Sequence, residues 1–290
     1  MLFMPIFIFA SENNNLKNED YLKLKKYYDD QAISKLSEED ISMILSEGTS
    51  AGKTTAYFRH TYSLDFDGNV VDSYTKQISK EDYLNEEVPT ADEVSKARSS
   101  CGINCAYYET TYKELTLELT LKQANVVQVD VITNWKKIPA VKHYDIIGYR
   151  VETPSTLLTF KTDSTYVAKQ IYDGTTAQYS FNSSGNSFVR SNGIAQVMNI
   201  VNSTSSSLKM TLRTYLLGDP SGLVVYASYQ HSVNSNNTLA NMKSATFNIA
   251  YPQSPNVQYL GGTFSYANSI ANNLDKMTGI YVEFDTDLFN

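Results

Sequence analysis

The sequence predicts a mainly β protein, an antiparallel β-sandwich-like domain preceded by a short helical N-terminal arm and a β-hairpin. Composition is the first observation: 22 tyrosines stand against one tryptophan, and only 19% of residues are charged. Tyrosine suits a pleated, half-buried surface. The second is strict alternation of apolar and polar residues, clearest in LTLELTL, Leu115 to Leu121, which places its leucines on one face. The third is punctuation: Asp173-Gly174, Asn192-Gly193 and Asp219-Pro220 separate short runs, the spacing of a sandwich or barrel. A chain of 290 residues suffices for one large core or two modest ones.

Residues 1–10, MLFMPIFIFA, are apolar but too short to span a bilayer. They have the apolar core and small-residue end of a secretory signal without its basic start, and are read as a truncated signal peptide. A buried strand is the alternative, weakened by Pro5, which removes a ladder donor. Residues 11–53 form a helical arm and linker. Leucine and tyrosine recur at helical spacing over 16–36, and Ser37 and Asp40 make an imperfect capping box before Ile41, Ile44 and Leu45. Gly48 is the expected stop.

Residues 54–79 are the hairpin, with Asp67-Gly68 supplying the positive φ angles of a tight turn. Residues 80–105, charged and then small and polar around Pro89, read as a linker with a cysteine loop. The sandwich then covers 106–290. Its first hairpin joins LTLELTL to VVQVDVITNW, and further strands are expected at 144–151, 155–162, 177–181, 186–191, 208–217, 222–231 and 244–250. A last helix is expected from Asn268 to Met277.

Several chemistries are tested by spacing. SEGTSAGKTT ends in Gly-Lys-Thr-Thr, yet a phosphate loop needs a glycine where Glu47 stands and runs from a strand into a helix. A calcium loop starting at Asp65 would need glycine and glutamate where Val70 and Lys76 stand. Cys101 and Cys105 are the only cysteines, and with His60, His143 and His231 the only histidines they leave too few ligands for zinc. In an exported chain the pair is expected to form a local disulfide; two free thiols are the alternative. The net charge of -7 argues against a nucleic-acid partner. No cofactor or metal site is read.

Two stretches, NWKKIPAVKHYDIIGYR from Asn134 to Arg150 and VVYASYQHSV from Val224 to Val233, resemble an uncharacterised family of exported proteins of Gram-positive bacteria. In that family W-K-K-x-P-x-V-x-x-Y-D-x-I precedes Y-x-S-Y-Q-H, and the similarity extends to the apolar start and DFDGNVV. The resemblance implies export, to the medium or the cell surface, and carries over no catalytic residue. Trp135 is expected to plug the core. Lys136, Lys137 and Lys142, beside His143 and Asp145, form a small basic patch.

No serine elbow, zinc helix or cysteine-protease signature is present. His231 is the best candidate base, although a lone histidine at a strand end more often serves structure. Asp145, Glu283 and Asp285 are carboxylates that a glycosidase could pair. Tyr107, Tyr108, Tyr112, Tyr226 and Tyr229 offer the flat faces with polar tips that a binding surface uses, though packing claims most tyrosines. The expectation is an exported, non-enzymatic protein that binds a cell-envelope, glycan or protein ligand, its binding residues unassigned. A secreted hydrolase of the carboxylate-pair type is the alternative, and a membrane-inserting β-toxin built from NIVNSTSSSLKMTLRTYL is third.

Overall fold

Alternation drives two antiparallel sheets to face one another, each presenting its apolar stripe inward. The computed structural model describes residues 16–65, 67, 69–87, 89–100, 107–139, 141–153, 158–172, 174–190, 192–200, 207–233, 238–248, 263–265, 274–275, 277, 279–285 and 287. The signal-like segment, Cys101 and Cys105 lie outside these residues.

The arm holds helices α1 (Asn18–Lys25), α2 (Asp30–Ile33) and α3 (Glu38–Leu45). Ser37 and Asp40 form a full reciprocal capping box, each side chain accepting from the other's backbone N–H. The stop differs from expectation. Helix α3 ends at Leu45 with Ser46 already extended, and Gly48 has no positive φ. It is needed for close approach instead, because a Cβ there would strike the Thr120 side chain.

Strand β1 (Thr49–Leu64) pairs with β2 (Val70–Ile78), and the five residues between them are closed by Asp65, whose carboxylate accepts both the backbone and side-chain N–H groups of Asn69. The predicted hairpin is therefore present, with a longer loop than a two-residue turn. It starts earlier than residue 54, and TSAGKTT lies within β1 rather than in a linker. Gly52 sits at a bulge with φ 144°, where a Cβ would collide with Val282. That glycine admits the second sheet against β1.

The described part of the expected linker, up to residue 100, is largely helical. It contains α4 (Lys80–Asn85), capped by Ser79 and Asp82, and α5 (Ala91–Ser100), preceded by Thr90, which exchanges hydrogen bonds with Glu93.

Beyond them run β3 (Tyr107–Gln123), β4 (Val126–Trp135), β5 (Tyr144–Glu152), β6 (Thr159–Lys161), β7 (Val167–Tyr172), β8 (Thr175–Tyr179), β9 (Ser187–Arg190), β10 (Gly193–Asn199), β11 (Leu208–Leu217) and β12 (Val224–Gln230). Helix α6 (Leu239–Lys243) and strands β13 (Thr246–Asn248), β14 (Thr263–Ser265) and β15 (Ile280–Glu283) follow. The larger sheet has the order β2-β1-β3-β4-β11-β7-β8, with β6 also on β11; the smaller is β15-β12-β5-β10-β9. β1 pairs with β3 from end to end, so the hairpin and the chain beyond residue 106 share one sheet. The expected C-terminal helix does not reach its end: Leu274 forms a strand bridge with Ser232 and Met277 is non-helical.

The main core lies between the sheets. Leu115, Leu117 and Leu119 of β3 and Val127, Val129 and Val131 of β4 face Ile147, Tyr149 and Val151 of β5 and Val225, Ala227 and Tyr229 of β12. Burial of each such side chain is worth about 1.5–3 kcal/mol. The arm packs on the outside of the larger sheet, where Leu24, Tyr28, Ile33 and Leu36 cover Val167 and Tyr215. α6 similarly places Met242 over Ala195 and Val197 outside the smaller sheet.

Candidate functional site: a sealed polar layer between the sheets

The inward stripes do not stay apolar to their ends. On β3 the alternation that carries Leu115 to Leu119 continues back to Lys113, fully buried, whose strand neighbours are Phe58 on β1 and Trp135 on β4. On β1, His60 and Tyr62 point the same way as Phe58. From the smaller sheet come Asp145 at the start of β5 and Tyr229 on β12, with His231 just beyond. Asp275 closes the layer from the C-terminal segment.

Hydrogen bonds join Lys113, Asp275, His231, Asp145, Tyr62, Tyr229 and Trp135 into one network. His231 Nδ1 lies 3.0 Å from both Asp145 oxygens, and its Nε2 lies 2.7 Å from the Tyr62 hydroxyl. With its proton on Nδ1, the imidazole donates to the carboxylate and accepts from the phenol. Asp145 also accepts from the Ser232 backbone N–H at 3.1 Å and from the Tyr229 hydroxyl. That hydroxyl in turn accepts the Trp135 indole N–H at 3.0 Å. The Lys113 ammonium donates to Asp275 Oδ2, while Asp275 Oδ1 accepts the His231 backbone N–H at 2.7 Å. Lys113 Nζ stands 4.5 Å from the centre of the Trp135 ring and 5.3 Å from that of Tyr229.

Burial and charge tune the ionisable groups. Burial, reinforced by Asp275, Asp145 and Glu109, holds the Tyr62 phenol well above its usual range, so it stays a donor. Burial and then Asp145 do the same to Tyr229. Burial, followed by the charge of Lys113 and by His231, pushes the His60 imidazole well below its ordinary value. His60 Nδ1 meets Thr75 at 2.5 Å, while its buried Nε2 has no hydrogen-bond partner among the described residues.

The arrangement has the parts of a general base, histidine oriented by aspartate, but no access. The side chains of Asp145 and His231 are 0% exposed. A base must reach the proton it abstracts, and this one is walled by Tyr62, Trp135 and Tyr229.

The structure brings together His231 and Asp145 of the sequence-derived candidates. Glu283 and Asp285 are elsewhere: Glu283 pairs across β12 with Val224, itself opposite Glu152, seven positions along β5 from Asp145, about 23 Å at strand rise. Two of the three lysines of the basic patch are taken up in structure. Lys136 binds the backbone carbonyls of Tyr83 and Glu86, and Lys137 that of Pro89 and the Glu109 carboxylate. Trp135 is the expected core plug. Tyr107, Tyr112 and Tyr229 are buried, Tyr226 stacks on Tyr281, and only Tyr108 of that set is largely exposed, at 68%. Lys113, His60, Tyr62 and Asp275 went unmarked in sequence. Lys113 and His60 carry a signal, a charged or titratable residue in phase with an inward stripe; Asp275 carries none.

A second feature is open. Val151, Leu158, Thr159, Phe160, Thr162, Val189 and Asn192 line a groove of about 450 Å³ where β6 of the larger sheet meets β5 and the β9–β10 turn of the smaller. It lies about 20 Å along β5 from Asp145 and has no ionisable side chain in its lining.

Compared with known proteins, the chain matches no family model and no curated protein. Among the described residues no helix is long and apolar enough to cross a membrane.

Proposed function

We propose that this is an exported, non-enzymatic binding or surface-interaction protein of a Gram-positive bacterium, acting on a cell-envelope, glycan or protein ligand. The observation that carries the reading is the sealing of the His231–Asp145 pair at 0% exposure. Groups that would serve catalysis are spent on holding two sheets together, whereas the open groove mixes four apolar side chains with the neutral polar Thr159, Thr162 and Asn192, a lining without charge that can take a neutral ligand. Export rests on the apolar start and the resemblance to exported proteins. The Cys101–Cys105 disulfide belongs to the same proposal, since an oxidising compartment would close it.

Binding to immobilised cell-wall polymers, glycans and secreted proteins of a Gram-positive cell tests the function. Phe160→Ala and Val189→Asp should weaken capture at least tenfold with the fold retained by circular dichroism. Thiol labelling of protein recovered from the medium should find no free thiol before reduction. Quantitative labelling without reductant, or retention in the cytosol, would sink export with a disulfide. The hydrolase reading has one observation in its favour, the Asp145–His231–Tyr62 chain. Turnover of a glycan or peptide that His231→Ala or Asp145→Asn abolishes, with no ligand bound, would replace the binder by that reading.

A further inference from the structure

We infer that Lys113 and Asp275 condense into an intramolecular amide, lysine Nζ to aspartate Cγ, which staples the two sheets covalently. Four observations on the pair converge. Its polar atoms are in direct contact and both side chains are 0% exposed. Its walls are aromatic, Trp135 and Tyr229. The His231 backbone N–H is aimed at Asp275 Oδ1 from 2.7 Å. The carboxylate's own backbone is pinned, because Asp275 N–H donates to the His231 carbonyl at 2.9 Å.

Each feature has a chemical use. An ammonium and a carboxylate sealed in such surroundings lose their hydration, and their attraction often fails to repay that loss. An amide removes both charges. Reactants held in register also react as though at very high concentration, on the order of 10⁵–10⁸ M for well-oriented pairs. The backbone N–H on Oδ1 stabilises the negative charge that grows on that oxygen as the carbon becomes tetrahedral.

The step balances without a co-reactant. One proton passes from the ammonium to Oδ2, leaving a neutral amine and a carboxylic acid. The nitrogen lone pair attacks Cγ and the N–C bond forms. A second proton leaves nitrogen for the Oδ2 hydroxyl, the Cγ–Oδ2 bond breaks, and water departs. Oδ1 remains as the amide carbonyl, with one hydrogen on nitrogen. Nothing is oxidised or reduced. His231 takes part through its backbone N–H, and Asp145, which accepts from the His231 ring and the Ser232 N–H, is a positioning residue for that N–H.

The bond would join positions 162 residues apart, linking β3 of the larger sheet to the segment bridged to the end of β12. A closure of that length restricts the unfolded chain more than a short one does. For a protein working outside the cell it would also resist pulling and proteolysis.

The test is the mass of the purified full-length chain, reduced and denatured, with its N-terminus determined. The expected mass is lower than the sequence mass by one water, and a protease digest should yield a branched peptide containing Lys113 and Asp275. Lys113→Arg and Asp275→Ala should each restore the full mass and lose the branched peptide. A wild-type chain at full mass overturns the inference and leaves an ordinary buried ion pair. So does a water loss that maps elsewhere, for example to a succinimide at Asp67-Gly68 or Asp173-Gly174. Both outcomes are read on denatured wild-type protein, so they decide the matter even where a variant fails to fold.

Discussion

Two buried polar clusters flank the larger sheet, and they are built on opposite principles. On its outer face, Arg213 of β11 makes a bidentate pair with Asp130 of β4 at 2.6 and 2.9 Å, extended by Gln128 and Tyr215. The guanidinium lies 3.8 Å from the centre of the Tyr27 ring, and Lys169 donates to the Lys26 carbonyl. This cluster is a sheet surface turned into interior by the arm laid over it. On the inner face, the layer around His231 lies between the two sheets and is closed by Asp275 of the C-terminal segment. The outer cluster is made of cross-strand neighbours, closed by a local segment; the inner one exists only when β1, β3, β5, β12 and the C-terminal segment have all met. The first should loosen piecemeal, while the second should fail only with the whole sandwich.

The sharpest way to break that distinction is Asp145→Ala, which strips His231, Tyr229 and the Ser232 N–H of their acceptor. A loss of about 4–5 kcal/mol in urea unfolding is expected, with no change in which amides exchange first. A loss below about 1 kcal/mol would mean the layer is not a cooperative unit. Asp130→Ala should cost about 3 kcal/mol by leaving Arg213 unpaired, and the double variant Asp130→Leu, Arg213→Met should recover most of it. Failure of the double variant to recover would show that the Tyr27 contact, rather than the ion pair, holds the arm.

Acid separates the clusters next. Burial works against the Arg213 charge, but Asp130 overrides it and raises the pKa further, so Arg213 adds no slope near neutrality. His60 behaves differently: its folded value lies well below the ordinary 6.5. Below that pH the unfolded chain takes up a proton that the folded chain refuses, so stability falls as pH drops, approaching about 1.4 kcal/mol per pH unit. Urea titrations at about pH 7.5, 6 and 5 should show this decline, and His60→Gln should flatten it. The smallest effect sharpens the contrast from the other side. Ser37→Ala removes the α3 cap at a cost of about 1 kcal/mol, and hydrogen exchange should rise in the arm while the amides of β3 and β12 stay protected.

The elements legible in sequence are those whose residue types alternate. LTLELTL and VVQVDVITNW keep polar residues opposite their apolar stripe, and in VVQVDVITNW the alternation stays readable even though the arm covers Gln128 and Asp130. Strands β7 and β10 were not foreseen, and the reason is physical. β10 is buried on both faces, between the main core and α6, so GIAQVMN has no alternation to read. In β7, Lys169 and Gln170 look solvent-facing in VAKQIY, yet Lys169 is covered by the arm and Gln170 donates to Tyr179 and to the Asn199 carbonyl. His231 and Asp145 could each be named as candidates. That they touch follows from β12 lying beside β5, which no spacing along the chain encodes.

By itself the sequence determined the class of the fold, because period-two stripes and a capped helical arm are local facts that short-range sterics and burial enforce. It also determined which faces point inward, and so the inward aim of Lys113, His60 and His231. Only the tertiary structure decided what those groups meet. Strand order sets the neighbours, and the same inward lysine that would be an intolerable charge against leucines becomes a partner once Asp275 arrives from a segment 162 positions away. Sealing was decided there too, since whether a histidine and an aspartate form a reactive pair or a structural one depends on the water left around them, and that is set by how two sheets close.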